Sequence, residues 1–153
     1  MDMPKPTEHH RKLERLVGRW RGVETMHPSP WDPEGGSAIG RNDWRIALDG
    51  FAAITDYEQE RDGRITFRGH GVMTWDPQDA CYVLHWFDSM GSAPEVFRGN
   101  FDGDVLTVRH GGPGMHARLT WDFRRKGILR SSMHMSQDGK DWAPFFGCDY
   151  ERV

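Results

Sequence analysis

The sequence predicts an all-β protein, a closed antiparallel up-and-down barrel of about ten strands with one short N-terminal helix. Three observations carry that reading. Asp-Gly pairs recur at 49–50, 62–63, 102–103 and 138–139, a dipeptide favoured where a hairpin needs positive φ. The segments between them are rich in β-branched and aromatic residues, which fit a pleated, half-buried surface. A meander of so many antiparallel strands must also dispose of two exposed edges, and it does so most simply by curling until first and last strands meet.

Taken in order, the helix comes first, over 7–17. Thr7 is its N-cap, Leu13, Leu16 and Val17 follow i, i+3, i+4 spacing, and Gly18 stops it. Strands follow near 19–26, 38–48, 51–60, 64–75, 81–88, 95–101, 104–110, 116–125, 127–136 and 143–152, with further turns at "DPQD" (76–79) and "RKG" (125–127). The stretch "LVGRWRGVE" sets Trp20 between Gly18 and Gly22 where helix gives way to strand. This reads as a plug: Trp20 turns inward beneath the helix, and the two glycines leave room for its indole.

Composition narrows the class. A chain of 153 residues encloses one core or one barrel, so 1–153 is expected to be a single domain with the helix as its cap. No apolar run approaches membrane-spanning length, so no membrane partner is expected. The start "MDMPKPTEHHRKLERL" lacks the apolar stretch of a secretory signal, which makes a cytoplasmic location the expectation. Cys81 and Cys148 are too few for a disulfide framework and read as small core side chains. Twenty basic against 23 acidic residues, with no basic cluster longer than "RRK", is poor material for binding nucleic acid. Nothing in the sequence sets the oligomeric state.

Several longer stretches carry a resemblance. "HHRKLERLVGRWRG", "LDGFAAITDYEQERDG", "GHGVMTWDPQDACYVLHWFDSMG" and the ending "MSQDGKDWAPFFGCDYERV" are similar to a lipocalin-like family of unknown function numbered 1579. The most telling pieces are Gly18-x-Trp20, the Trp75-Asp76-Pro77 turn leading to Trp86-x-Asp88-Ser89, and Ser136-x-Asp138-Gly139-x-x-Trp142. The resemblance spans nearly the whole chain and implies a calycin-type, lipocalin-like barrel with no established activity. Gly18-x-Trp20-x-Gly22 is also similar to the opening of nitrobindin-type haem barrels. Glu24 stands where that pattern has another glycine, and the last strand holds no histidine to ligate iron.

Hairpin spacing commits whole sets of alternate residues to one face. The 76–79 turn aligns Met73 with Leu84 and Trp75 with Tyr82, placing Trp86 alongside; the turn near 126 aligns Leu119 with Met133 and Ala117 with Met135. Trp44, Ile46, Tyr57, Phe67, Phe97, Val108, Trp121 and Phe146 complete the expected interior. One joint needs an assumption: a three-residue loop with a glycine bulge at Asp62-Gly63 turns Gly69 inward, whereas a strict two-residue turn would turn His70 inward.

Barrels of about eight strands are filled by side chains or hold one small ligand, so about ten strands favour a cavity over a solid core. The expected ligand-binding residues are Trp44, Tyr57, Phe67, Met73, Trp86, Phe97, Trp121, Met133 and Phe146, and the expected guest is a small apolar molecule, fatty-acid-like or aromatic. The loop "HPSPWDPEGGS", 27–37, with three prolines and Trp31, is equally a lid over the mouth or a plain connection.

No catalytic residue or cofactor is expected, since the sequence holds no nucleophile elbow, phosphate-cradling loop or His-Glu zinc pair. No metal site is expected either. His9 and His10 lie on an exposed helix, while His70, His85 and His134 fall on outward faces. His110 and His116 flank "GGPGM" and meet at the rim, but lack a third ligand. Glu24 and Arg98 are the charged residues that would bind a carboxylate or polar head group from an inward face, although Arg98 alternates with the preferred apolar inward set. Three functions remain from this reading: a binding protein, an enzyme of the same cavity using polar groups among Asn42, Thr55, Tyr57 and His110, and a haem barrel. Two or more buried titratable groups inside would favour the enzyme.

Overall fold

All four Asp-Gly pairs lie at strand ends, and the strands between them close on themselves. The computed structural model describes every residue except Trp31, on which the lid reading partly rests and which therefore lies outside the described residues. Ten strands are described: β1 Gly18–Met26, β2 Gly36–Ala47, β3 Ala52–Arg61, β4 Arg64–Asp76, β5 Cys81–Asp88, β6 Glu95–Asp102, β7 Val105–Gly112, β8 Met115–Asp122, β9 Ile128–Ser136 and β10 Ala143–Arg152. Each pairs antiparallel with its sequence neighbour, and β1 pairs with β10, so no edge is left open.

The helical segment is shorter and tighter than expected. One α-turn, α1 (Glu8–Arg11), passes into a 3-10 turn at Lys12–Leu16, and Val17 is already extended. The spacing of Leu13 and Leu16, both buried, explains this, because residues three apart eclipse on a 3-10 helix and seat together. His10 is buried rather than exposed: the Thr7 backbone N–H donates to its Nδ1 (2.9 Å), and its ring meets Phe51 edge-on. His9 stacks on Trp75 with ring centroids 3.8 Å apart.

Trp20 is the plug, 3% exposed, with its indole N–H donating to the Leu16 carbonyl (2.7 Å) and the Arg152 guanidinium 4.2 Å from its ring. The flanking glycines serve other neighbours than expected. A Cβ at Gly18 would stand 2.9 Å from Arg152 Nε, and one at Gly22 would stand 2.5 Å from Cys148 Sγ and 2.7 Å from the Asp149 carbonyl. Gly18 makes room for the arginine that covers Trp20, and Gly22 lets β10 approach β1 at the seam.

The 76–79 and 126 hairpins pair as their spacing predicts, Met73 with Leu84, Trp75 with Tyr82, Leu119 with Met133 and Ala117 with Met135. At Asp62-Gly63 the parity is as assumed but the device differs. Arg61 pairs with Arg64 across a two-residue turn, with φ of 52° and 77° at Asp62 and Gly63, and the extra residue enters where Glu60 opposes Ile65 but Gln59 opposes Phe67. That bulge turns Gly69 inward opposite Tyr57 and leaves His70 outside, hydrogen bonded to Asp56 at 2.8 Å. Ile46, expected inside, is 36% exposed near the end of β2.

The turn after β9 is held by one carboxylate. Asp138 accepts from the backbone N–H groups of Lys140 (2.8 Å) and Asp141 (2.9 Å) and from Ser136 Oγ (2.9 Å), which draws its carboxyl from the ordinary 3.8 down to about 2. A depressed folded pKa means stabilisation present above 3.8 and lost as pH falls toward about 2. Asp138→Asn is therefore expected to flatten the acid limb of a melting-temperature profile in that window; superimposable profiles would contradict the assignment.

Candidate functional site

The barrel has a closed end and an open end. Strand β1 starts at the closed end, where Leu13, Leu16 and Trp20 pack on Trp44, Met73, Leu106, Trp121 and Leu129. Trp44 and Trp121 meet edge to face with centroids 6.3 Å apart. Of the expected ligand-binding residues, Trp44, Met73, Phe97 and Trp121 are thus buried in the core. The other five, Tyr57, Phe67, Trp86, Met133 and Phe146, are half-buried and lie on the half of the barrel away from the helix. Tyr57 is 5.9 Å from Phe67 and 6.3 Å from Trp86 between centroids, and Phe146 is paired with Met133.

Glycines shape this half. A Cβ on Gly69 would fall 2.2 Å from Trp86 Cζ2, so the indole lies across the bare inner face of β4. Trp86 Nε1 donates to Asp88 Oδ2 (3.0 Å), which fixes the ring. Two inward positions deeper in the barrel also retain accessible surface. Asn42 alternates with buried Trp44 and stands between Trp20 and Tyr57; Leu119 lies between buried Ala117 and Trp121.

Within that wall lies a carboxylate cluster. Glu24 is fully buried, the next inward position after Trp20 and Gly22, and leans across Gly40, where a Cβ would fall 2.1 Å from its Oε2. It accepts from Tyr57 Oη (2.7 Å), from Gln59 Nε2 (3.0 Å) and from Tyr150 Oη in a short bond. Burial pushes the Glu24 carboxyl above its usual range, against the pull of the three donors. Burial and the adjacent Glu24 push the phenols of Tyr57 and Tyr150 up, and likewise raise the Cys148 thiol to about 12. These are held as hydroxyl donors, and Cys148 as a thiol.

Sequence reasoning placed Glu24 among inward candidates but left Gln59 and Tyr150 out. The signal was available: Gln59 follows Tyr57 at period two on β3, and Tyr150 follows Phe146 and Cys148 on β10. Arg98 faces outward toward Asp76 (3.3 Å) and Asp79 (3.6 Å), as its alternation with inward Phe97 implies. His110 and His116 do not meet. Their partners, Ala117 and Gly111, put them on opposite faces, and His110 Nδ1 lies 2.9 Å from the Val96 carbonyl. His134 is outward as expected but not freely solvated, since its Nδ1 is buried with no hydrogen-bond partner among the described residues. Among the described residues, no group of three or more His, Cys, Asp or Glu is arranged to hold a metal ion.

The described part of the 27–37 loop lies beside the mouth. His27 N–H donates to the Phe145 carbonyl (3.0 Å), and Asp32 pairs with Arg61 (2.7 Å) at the end of β3. No helix among the described residues is long and apolar enough to cross a membrane.

Two solved structures share this architecture. Rv2717c from M. tuberculosis superposes with a TM-score of 0.66 at 15% identity, covering 96% of this chain and 98% of that one. The S-type phycobiliprotein lyase CPES from Guillardia theta superposes with a TM-score of 0.61 at 11% identity, covering 97% and 98%. At such identities the likeness is one of fold. No curated protein matches the chain. Residues 5–152 match the family described as "Protein of unknown function (DUF1579)", and the chain belongs to that family.

Proposed function

We propose that this protein binds a small, largely apolar molecule in the open half of its barrel. The observation that carries the reading is the set of inward-facing but only half-buried side chains, Tyr57, Phe67, Trp86, Leu119, Met133 and Phe146, toward the end of the barrel away from the helix. Aromatic rings and methionine give a guest large contact area at little polar cost. Trp44, Met73, Phe97 and Trp121 form the floor beneath it. The described part of the 27–37 loop, latched by Asp32 to Arg61, borders the entrance. The barrel likeness to a phycobiliprotein lyase is compatible with a guest-holding role.

Filling the space is the direct test. Met133→Trp is expected to fold as the wild type does and to abolish binding, read from tryptophan emission titrated with fatty acids, fatty alcohols and naphthalene derivatives. Each methylene buried by a homologous guest is expected to add about 0.8 kcal/mol at most. A variant that fails to fold, or a wild type whose emission and melting temperature ignore the whole panel, would mean a packed core and end the binding reading.

Buried Glu24 and Tyr150, with half-buried Tyr57 beside them, favour a second reading, an enzyme acting in the same barrel. Their hydroxyls are raised in pKa and so suit donation to an oxygen rather than proton abstraction. Recovery of chemically unchanged guest after prolonged incubation supports a carrier; a converted guest supports the enzyme.

A further inference from the structure

The outer wall of β6–β9 sets like charges side by side. Arg98 lies directly opposite Arg109, Arg109 opposite Arg118, and Arg118 opposite His134, so four consecutive strands present a basic side chain in one row. Each alternates with inward residues and so points outward. Neighbouring strands lie about 4.8 Å apart, and like charges set directly opposite on them destabilise a sheet. Farther along the same wall the signs alternate instead: Arg130 stands between Asp122 and Asp149 and pairs with Asp149 at 3.4 Å.

The chain itself neutralises the first rung. Arg98 pairs with Asp76 (3.3 Å) and Asp79 (3.6 Å), carboxylates at the β4–β5 turn. Arg109 is exposed and Arg118 half-buried, and neither has a carboxylate partner among the described residues; the Arg118 guanidinium lies over the Trp142 ring at 4.5 Å. His134 ends the row with a buried Nδ1 that has no hydrogen-bond partner among the described residues. Burial and the charges of Arg118, His27 and Arg130 hold its imidazole below the ordinary 6.5, the mark of a positive field around it.

Between the two charged rows runs a neutral one, Thr107, Thr120 and Ser132, whose half-buried hydroxyls can both donate and accept. A peptide backbone uses both capacities, whereas a phosphate diester only accepts. The outer wall of a barrel is convex, so a flexible chain can follow the row where a flat, rigid partner meets little of it.

We propose that this face docks an extended acidic segment of a partner protein, its carboxylates set against Arg109, Arg118 and His134 as Asp76 and Asp79 are set against Arg98. Arginine forks match carboxylates bidentately. The row lies outside the barrel and is independent of the guest-binding reading. Net charge does not supply the attraction: with 20 basic against 23 acidic residues, the chain as a whole does not draw an acidic peptide.

Fluorescein-labelled octaglutamate, followed by anisotropy in low salt, is the probe. It is expected to bind the wild type and to weaken as added salt screens the row. Arg109→Gln with Arg118→Gln should lower its affinity at least about fivefold. Arg109→Lys with Arg118→Lys keeps the charge and should retain most of the binding, while Arg64→Gln, at an exposed arginine off the row, should change nothing. Because the row repels itself, Arg109→Gln is also expected to hold or raise the melting temperature in low salt. Octaglutamate that fails to bind, or that binds the double glutamine variant as it binds the wild type, overturns the proposal. So does a wild type that binds octathymidylate or phosphatidylserine vesicles more tightly than octaglutamate, which assigns the row to phosphate. A melting temperature lowered by Arg109→Gln gives the row a structural role and likewise overturns it. Should the double variant not fold, octaglutamate binding by Arg109→Gln alone decides.

Discussion

Replacing Trp20 with alanine is expected to cost about 3–5 kcal/mol of stability in chemical denaturation, the range for removing a large aromatic from a core. The site cannot easily collapse, because three separate elements lean on the indole. Leu13 and Leu16 pack on it from the helical segment, the Leu16 carbonyl loses its donor, and Arg152 loses the ring it covers. The backbone around it is also committed, since Gly18 has φ of 142° and holds the arginine's approach. A loss below about 1 kcal/mol would mean that the helical cap seats on the barrel without Trp20.

Glu24→Ala is expected to cost a comparable amount, about 3–5 kcal/mol, because three donors lose their acceptor at about 1–3 kcal/mol each and the site recovers part of that by relaxing. The phenols of Tyr57 and Tyr150 and the Gln59 amide all donate to this one carboxylate, and removing it leaves three donors facing an apolar wall. The pH dependence has the opposite sign to that of Asp138. Because burial raises the folded pKa of Glu24 above its ordinary 4.5, the folded state holds the proton more tightly than the unfolded chain. Stability from Glu24 is then full below 4.5 and declines as pH rises through the folded pKa, levelling off above it. Glu24→Gln removes that titration. Its stability relative to wild type is expected to improve steadily as pH rises from 4.5, whatever fixed penalty the amide introduces against three donors. A stability difference that is flat or moves the other way across that range would show that the cluster keeps Glu24 no harder to ionise than an exposed carboxylate.

Both residues sit on one inward row of β1, and that row shows what a sequence can and cannot disclose. Gly18, Trp20, Gly22 and Glu24 alternate at period two, and the period alone assigns all four to one face. Which neighbour each glycine serves is not legible in the same way. Gly22 answers to Cys148 and Tyr150, more than 120 residues away in sequence, and only barrel closure brings β10 beside β1. The carboxylate cluster has the same character. Glu24, Gln59 and Tyr150 come from three strands, and their side chains converge only once β1 lies between β2 and β10.

Local chemistry in the sequence determined the strand count, the turn positions, the faces taken by the 76–79 and 126 hairpins and the presence of a helical cap. Asp-Gly turns, two-period patterning and the Leu13–Leu16 spacing act within a few residues, so they are legible along a single chain. Tertiary structure decided the rest. It moved the bulge from the Asp62-Gly63 loop into the β3–β4 ladder and put His110 and His116 on opposite faces. It also divided nine candidate ligand-binding residues into a buried floor and a half-buried wall. Depth along a barrel depends on strand stagger and on which end the helix covers, and those are properties of ten strands closing together rather than of any one of them.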